Sequence, residues 1–262
     1  MFTFMTTRGQ CIWSHMAIRS LSLTLNREIR KQTANRWTNM STDESFGIEM
    51  HFGAGFKGTP LSSSVAPLQV SQVEALATML SRSFENEPNF VYIIPDEQAR
   101  RMILRRFFQM VAIPASRLFG EICTTNQIHG ASLWIRPGSG FTFERMIRNA
   151  MRGTPLKLDQ ASLRRWINLG ARVEKARHRL VRGPHWYLLA LGVEPSTDRC
   201  SLRGLLTEPV LSRADSDKIP CYVEIFDERD LSFYENLGFR VEGAGGITQG
   251  GPSFWAMIRA PK

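Results

Sequence analysis

The 262-residue sequence has few cysteines and lacks any recognisable metal-ligand pattern. Its four cysteines lie far apart and include no CxxC pair, and its five histidines form neither HExxH nor a mixed Cys/His pattern. We therefore expect no disulfide, no structural zinc and no metal cofactor. No apolar run approaches the length that is needed to cross a bilayer. The chain is thus expected to be soluble and to have no membrane partner.

Acidic residues are outnumbered, with 24 Asp and Glu against 33 Lys and Arg, a net charge of +9 and a pI near 9.9. This balance permits nucleic acid, an anionic membrane or a polyanionic cofactor as a partner, and charge alone does not choose among them. The basic residues lack interleaved aromatic residues or a recognised motif, so nucleic acid is not the expected partner.

The first 65 residues show no sustained hydrophobic period, and they are rich in Ser, Thr and Gly. We interpret residues 1–65 as a basic, disordered leader and residues 66–262 as the folded domain. The early part holds one acid, Glu28, among many basic residues, which is typical of an organelle transit peptide. We expect a cytoplasmic location, with organelle targeting by this leader as the alternative; an unstructured basic tail, or a working start near Met40, would also account for the composition. The sequence GAGFKG (Gly53–Gly58) matches GxGxxG but lacks the flanking strand and helix that the motif needs.

Two helices are predicted where the folded domain begins. SQVE (Ser71–Glu74) has the spacing of a capping box before an apolar stripe. The second segment, EQARRMILRRFFQMVA, is expected to bury Met102, Ile103, Phe107 and Met110. Its arginines indicate either a solvated face or a pocket for an acidic substrate.

The remaining pattern alternates between strands and helices. EICTT and GASLWIRP predict a hairpin, followed by two helices, of which the longer is capped by Asp159 and buries Leu163, Trp166, Ile167, Val173 and Leu180. The last third reads as strand, helix, strand, helix and strand. This order predicts an α/β (α+β) domain with a mixed central sheet.

The runs LALGVEP, ERDLSFYENLGF and GGPSFWAM resemble the GNAT superfamily of acetyl-CoA-dependent N-acetyltransferases, and look closest to its puromycin acetyltransferase-like branch. The similarity covers residues from about 66 to the C-terminus. It implies a sheet that is splayed between the fourth and fifth strands, helices on both faces, and acetyl-CoA in the gap. The strand ending at Leu191 and Val193 would contact the pantetheine arm. The pyrophosphate would lie at the N-terminus of a helix starting near Gly204.

The loop that corresponds to the family's Q/R-x-x-G-x-G/A motif departs from it. Asp198 stands where Gln or Arg is usual, Ser201 and Arg203 replace the two glycines, and Asp230 replaces an Asn in a later turn. Each change in the loop acts against a diphosphate, although Arg199 and Arg203 could pair with phosphate through their side chains. The cofactor residues implied by the resemblance are Leu191, Val193, Asp198, Arg199, Ser201, Arg203, Gly204 and Asp230.

Acetyl transfer to an amine needs a base for the amine and an acid for the departing thiolate. Glu224 is the candidate base, since strand alternation directs it opposite to Val223, although an exposed polar position is an equal alternative. His185 is a weaker alternative base. Tyr234 matches the family tyrosine near the CoA sulfur and is the candidate acid, with a core aromatic residue as the alternative.

Two hypotheses follow from these residues. The first is an active N-acetyltransferase that joins acetyl-CoA and a primary amine of a small molecule or peptide by direct attack in a ternary complex. The second is a GNAT-fold binding or interaction module that has lost tight acetyl-CoA binding. We expect a monomer or homodimer in either case.

Overall fold

The computed structural model describes residues 65–152, 156–195, 199–246 and 250–262, with the side chains of 149–152 and 199 excepted. The proposed leader up to residue 64, including GAGFKG, lies outside the described residues, as does Asp198. The interpretations given for them stay predictions.

Seven strands form a single mixed sheet. They are β1 (Val65–Pro67), β2 (Gly120–Thr125), β3 (Gly130–Ile135), β4 (Trp186–Val193), β5 (Cys221–Ile225), β6 (Arg240–Gly246) and β7 (Ser253–Arg259). Their spatial order is β1-β2-β3-β4-β5-β7-β6. Neighbouring strands are antiparallel, except that β4 and β5 run parallel. The predicted hairpin is the β2–β3 pair.

Eight α-helices are present in the described part of the chain. They are α1 (Val73–Ser83), α2 (Pro88–Ile93), α3 (Glu97–Phe107), α4 (Ile113–Phe119), α5 (Phe143–Arg152), α6 (Gln160–Leu180), α7 (Arg199–Asp217) and α8 (Leu231–Asn236). A π-helical turn, Phe108–Ala112, joins α3 to α4. The side chain of Asp159 accepts a hydrogen bond from the Ser162 amide at 2.9 Å, which confirms the predicted cap of α6. No helix within these ranges is long and apolar enough to span a membrane.

Helices cover both faces of the sheet because successive strand residues point to opposite sides. Leu133 and Ala190 pack with α1 to α6 on one face. Trp134 and Leu188 pack with α7 and α8 on the other. The predicted α/β class, the mixed sheet and its two helical layers are therefore confirmed.

Several local predictions were wrong. Ser71 lies in a 3₁₀ turn, Val70–Gln72, and the capping box there pairs Gln69 with Gln72. Met102, Met110 and Ile167 are exposed by 58%, 42% and 46%, although they were assigned to the core. On α3 the buried stripe includes Arg100, whose guanidinium donates to the carbonyl oxygens of Glu85, Ile94 and Pro95. Hydrogen bonding to otherwise unpaired carbonyls lets this charged side chain replace an apolar one.

The sheet opens between β4 and β5, as the resemblance implied. The two strands pair at Trp186↔Cys221, Tyr187↔Tyr222 and Leu188↔Val223, and the pairing ends there. The register of β4 against β3 shifts at the same level, because Leu133 pairs with Ala190 and Trp134 with Leu188. The extra residue, Leu189, forms a bulge that bends β4 away from its parallel neighbour.

Candidate functional site

A cleft occupies the opening between β4 and β5. It encloses about 1060 Å³ of empty space, a volume that includes its open mouth. Its floor is the edge of β4 at Leu189, Ala190 and Leu191, the residues that follow the last pair with β5. Residues from both faces of the sheet line it, so groups from α2, α3, α5 and α6 meet groups from α7 and α8.

Glu224 of β5 lines this cleft, on the strand face opposite to the one that Val223 presents to the α7 side. Burial raises the pKa of Glu224 to about 7, against the opposing influences of Arg177 and of the Tyr187 and Tyr222 phenols. Its Oε1 is buried and has no hydrogen-bond partner among the described residues. A carboxylate with a pKa near neutrality and a spare acceptor suits a general base.

Tyr234 of α8 reaches the same cleft, and it is 5% exposed. Burial raises the pKa of its phenol to about 12, while the nearby Arg203 guanidinium acts in the opposite direction. The phenol is therefore protonated at neutral pH, as a proton donor must be.

Arg203 turns into the cleft from the first turns of α7. Its Nη1 lies 2.8 Å from Asp230 Oδ1, and its side chain is only 11% exposed. Its guanidinium carbon lies 4.1 Å from the centre of the Phe233 ring and 5.5 Å from that of Tyr234. Its Nε–H is buried and has no hydrogen-bond partner in the described part of the chain. Arg203 and Asp230, two of the residues that the resemblance marked as departures from the GNAT pattern, therefore form a pair with each other.

The remaining candidate residues lie elsewhere. Helix α7 begins at Arg199 rather than near Gly204, so Ser201, Arg203 and Gly204 are helical residues and not a loop. Ser201 is exposed and, like Gly204, does not line the cleft. Val193 lies outside it too, and its amide donates to the Ser83 hydroxyl at 3.2 Å. The side chain of Arg199 is outside the described residues, as is Asp198.

His185 is not a cleft residue. Its Nδ1 lies 2.8 Å from the Gly183 carbonyl oxygen, and its ring contacts Arg177 and Tyr222. Burial lowers its pKa. This places His185 outside the site, and Glu224 is the candidate base that faces the cleft.

Sequence reasoning missed Glu87, which precedes α2 and lines the cleft. Burial raises its pKa to about 7, assisted by Asp230 and Asp227 and opposed by Arg203 and Arg229. The sequence signal was an acid directly before a proline at a helix start, which is common at surface turns. The missed aromatic lining includes Phe84, Phe90, Phe107, Phe108 and Trp166.

The described residues bear on two other kinds of chemistry, a cysteine nucleophile and a bound metal ion. Burial raises the pKa of Cys123 to about 11 and of Cys221 to about 12, so both thiols are poor nucleophiles. No group of three or more His, Cys, Asp or Glu that could hold a metal ion occurs among the described residues.

Comparisons with known proteins agree with this architecture. No family model matches the chain. An uncharacterized N-acetyltransferase of Schizosaccharomyces pombe is 25% identical over 173 residues, which cover 63% of this chain and 69% of that protein.

Two solved structures have a fold similar to that of this chain. The histone acetyltransferase HPA2 and related acetyltransferase of Corynebacterium glutamicum superposes with a TM-score of 0.54 at 21% identity, covering 77% of this chain and 98% of that one. A mutant of agmatine N-acetyltransferase in its apo form gives 0.52 at 16% identity, covering 76% and 99%. The chain thus has the fold of the GNAT acetyltransferases. Its assignment to the puromycin acetyltransferase-like branch stays a prediction.

Proposed function

We propose that the protein is an acetyl-CoA-dependent N-acetyltransferase that acetylates a primary amine by direct attack in a ternary complex. The observation that carries this proposal is the cleft between β4 and β5, which is lined by both the half-buried Glu224 and the buried Tyr234. The fold supports it, because the similar proteins are acetyltransferases.

The residues of the cleft fit acetyl-CoA. The edge of β4 from Leu189 to Leu191 has no β5 partner, so its backbone groups are placed to bond the amides of a pantetheine arm. The buried Arg203 Nε–H is a donor without an acceptor, and a carbonyl or phosphate oxygen would supply one. The start of α7 at Arg199 offers a helix N-terminus for phosphate. When bound, acetyl-CoA supplies the acetyl group as a reactive thioester.

Glu224 and Tyr234 would move the protons. An alkylamine with a pKa of about 10.4 is charged at neutral pH, and losing that proton costs about 4.6 kcal/mol. Glu224 accepts the proton at a carboxylate oxygen, directly or through a water molecule, and its pKa of about 7 leaves a large ionised fraction at neutral pH. As the C–N bond forms and the C–S bond breaks, Tyr234 gives its phenolic proton to the departing sulfur, and the Arg203 guanidinium beside it stabilises the negative charge left on the phenol. The second proton of the amine nitrogen then returns to the phenolate, directly or through a water molecule, and Glu224 releases the first one to solvent.

Arg203 also favours a second candidate, the GNAT-fold binding module without tight acetyl-CoA binding. Its side chain replaces a family glycine and lies inside the cleft, held by Asp230. If this ion pair persists, the guanidinium excludes part of the cofactor. If it exchanges Asp230 for phosphate, the same residue strengthens binding.

Calorimetric titration of acetyl-CoA into the protein separates the two candidates. We expect Kd in the micromolar range for the native chain. The matched variant, Arg203→Gly with Ser201→Gly, restores the family pattern and should bind within tenfold of the native value. Asp230→Asn serves as a control that releases Arg203 without removing it.

If the native protein gives no binding heat at millimolar acetyl-CoA but the glycine variant binds it, the enzyme proposal is rejected and the binding module is favoured. Micromolar binding by both proteins rejects the module.

A further inference from the structure

An aromatic wall lines the same cleft as the carboxylates. It consists of side chains from the end of α1, from α2, α3 and α6, and from the π-helical turn, namely Phe84, Phe90, Phe107, Phe108 and Trp166. The rings contact one another, with centroids 4.9 Å apart for Phe107 and Trp166 and 5.3 Å apart for Phe84 and Phe108. Ring-to-ring contact fixes the wall as a rigid apolar surface.

The charges in the cleft are acidic although the chain as a whole is strongly basic, with a net charge of +9. The carboxylates among the described lining residues are Glu87, Glu224 and Asp230, and the one basic residue among them is Arg203. Arg203 and Asp230 neutralise each other through their 2.8 Å contact. Among the described residues neither Glu87 nor Glu224 has an ion pair as close as that of Arg203 with Asp230; Arg203 and Arg229 act on Glu87, and Arg177 on Glu224, only from a longer distance, and burial disfavours the ionised form of both carboxyls.

From this arrangement we infer that the acceptor is a small primary monoamine with an aromatic or similarly apolar body, whose ammonium pairs with Glu87 while its body packs on the aromatic wall. The inference rests on the proposed acetyl transfer for its reaction and names the substrate class. The incoming ammonium would give Glu87 a direct ion-pair partner, which Arg203 and Arg229 do not provide from their longer distance. Glu224 remains the proton acceptor.

The same surfaces disfavour other amines. A carboxylate on the acceptor, as in an amino acid, would meet Glu87 and Glu224 without a spare cation, because Arg203 is already paired. The hydroxyl groups of an amino sugar would be buried against phenylalanine rings, and a second cation on the body would lie on the apolar wall.

The test measures acetylation of four amines by the full chain with saturating acetyl-CoA. The first amine, 2-phenylethylamine, has the aryl body, and L-phenylalanine adds a carboxylate to that body. Agmatine carries a second cation, and ethanolamine carries a hydroxyl group. We expect kcat/KM for 2-phenylethylamine to exceed each of the others at least tenfold. Calorimetric binding of 2-phenylethylamine to the CoA-saturated protein provides a readout that does not depend on turnover.

Glu87→Gln tests the ammonium contact. It should weaken the binding of 2-phenylethylamine and raise its KM at least tenfold, with kcat changed less than threefold, and Glu87→Asp should recover part of the loss. Glu97→Gln is the matched control, because Glu97 is 62% exposed and does not line the cleft. It should behave like the native protein.

The outcomes separate the inference from the proposed function. Turnover that favours agmatine, ethanolamine or L-phenylalanine overturns the inference and leaves acetyl transfer standing. Binding of 2-phenylethylamine that Glu87→Gln weakens, without turnover of any amine, supports the site and rejects the enzyme. No binding of 2-phenylethylamine, or equal binding by Glu87→Gln, overturns the inference.

Discussion

Arg203 occupies a position that was expected to contact phosphate, but its side chain makes a different set of contacts. The resemblance to the GNAT loop motif implied a glycine or alanine at this position, and the arginine there was expected either to act against a diphosphate or to pair with phosphate through its side chain. The structure instead buries its guanidinium between Asp230 and the rings of Phe233 and Tyr234. A guanidinium is planar and weakly hydrated, so it can stack on rings while it pairs with a carboxylate. Its pairing with Asp230 links the two departures from the family pattern.

Tyr234→Phe tests the proton donor. We expect kcat to fall more than tenfold while the affinity for acetyl-CoA stays nearly unchanged, because the change removes the phenolic proton and keeps the ring contacts with Phe233 and Phe239. Steady-state kinetics and calorimetry measure the two effects. Tyr92→Phe is the control, since Tyr92 does not line the cleft. An unchanged rate in Tyr234→Phe removes this residue from the mechanism.

Glu224→Gln tests the base through the pH profile. In the native protein kcat, measured with both substrates saturating, should rise with pH through an apparent pKa of about 7, because the ionised carboxylate is the active form. Glu87 has a similar pKa, so the profile alone does not identify the residue. If the rise in rate with pH is lost in Glu224→Gln but kept in Glu87→Gln, the pKa of about 7 belongs to Glu224. The reverse pattern would make Glu87 the base.

At the scale of elements, the close contact of α5 with α6 shapes one wall of the cleft. A Cβ on Gly170 of α6 would stand 2.0 Å from a ring carbon of Phe143, which is in α5 and lines the cleft. Gly170 therefore allows a helix approach that any larger residue would prevent.

Two glycine-to-alanine changes form a matched pair. Gly170→Ala should lower the free energy of unfolding by about 1 to 3 kcal/mol, because the added methyl group overpacks the contact with Phe143. Gly204→Ala, also within a helix, meets no atom within 4 Å and should raise the free energy of unfolding by up to about 1 kcal/mol through better helix propensity. Urea unfolding of both variants measures the difference. Equal effects would mean that propensity alone governs these positions.

For the whole molecule, the buried carboxyls predict how stability changes with pH. The folded pKa of Glu87 and of Glu224 is about 7, above the usual 4.5, so the folded protein binds more protons than the unfolded chain between these values. Stability therefore falls as the pH rises from about 4.5 through 7. Asp215 acts in the opposite sense, because its contacts with Arg259 lower its pKa from 3.8 to about 2. Its contribution is present above pH 3.8 and is lost as the pH falls through 2.

Urea unfolding at pH 4.5, 6 and 8 tests this balance. The free energy of unfolding should decrease across the series, by about 1.4 kcal/mol for each unit of pKa difference that is traversed. The double variant Glu87→Gln with Glu224→Gln should flatten the decrease, whereas Glu97→Gln should not. A native protein that grows more stable from pH 4.5 to 8 contradicts the assigned pKa shifts.

Much of the fold was predictable from the sequence because its signals are local. The apolar alternation of Trp186–Val193, the Asp159 cap and the run around Tyr234 identified β4, α6 and α8 in the correct order. The boundary of α7 was misplaced by five residues, since Arg199–Arg203 was matched to a loop motif although its residues are compatible with a helix. Helical periodicity also predicted that Met102 and Ile167 are buried, but both are exposed. Each lies at the edge of its apolar stripe, and the sequence does not show whether another element packs over such a residue.

By itself the sequence determined the order of the elements, the mixed sheet and the candidates Glu224 and Tyr234, because hydrophobic period and motif spacing are properties of neighbouring residues. Only the tertiary structure decided which groups share the cleft. It brought Glu87 beside residues from the other end of the domain and turned Arg203 inward, whereas Val193 and His185 do not line the cleft. The pKa of a carboxyl and the direction of an arginine depend on burial and on charges from distant segments, and these exist only after the segments have packed together.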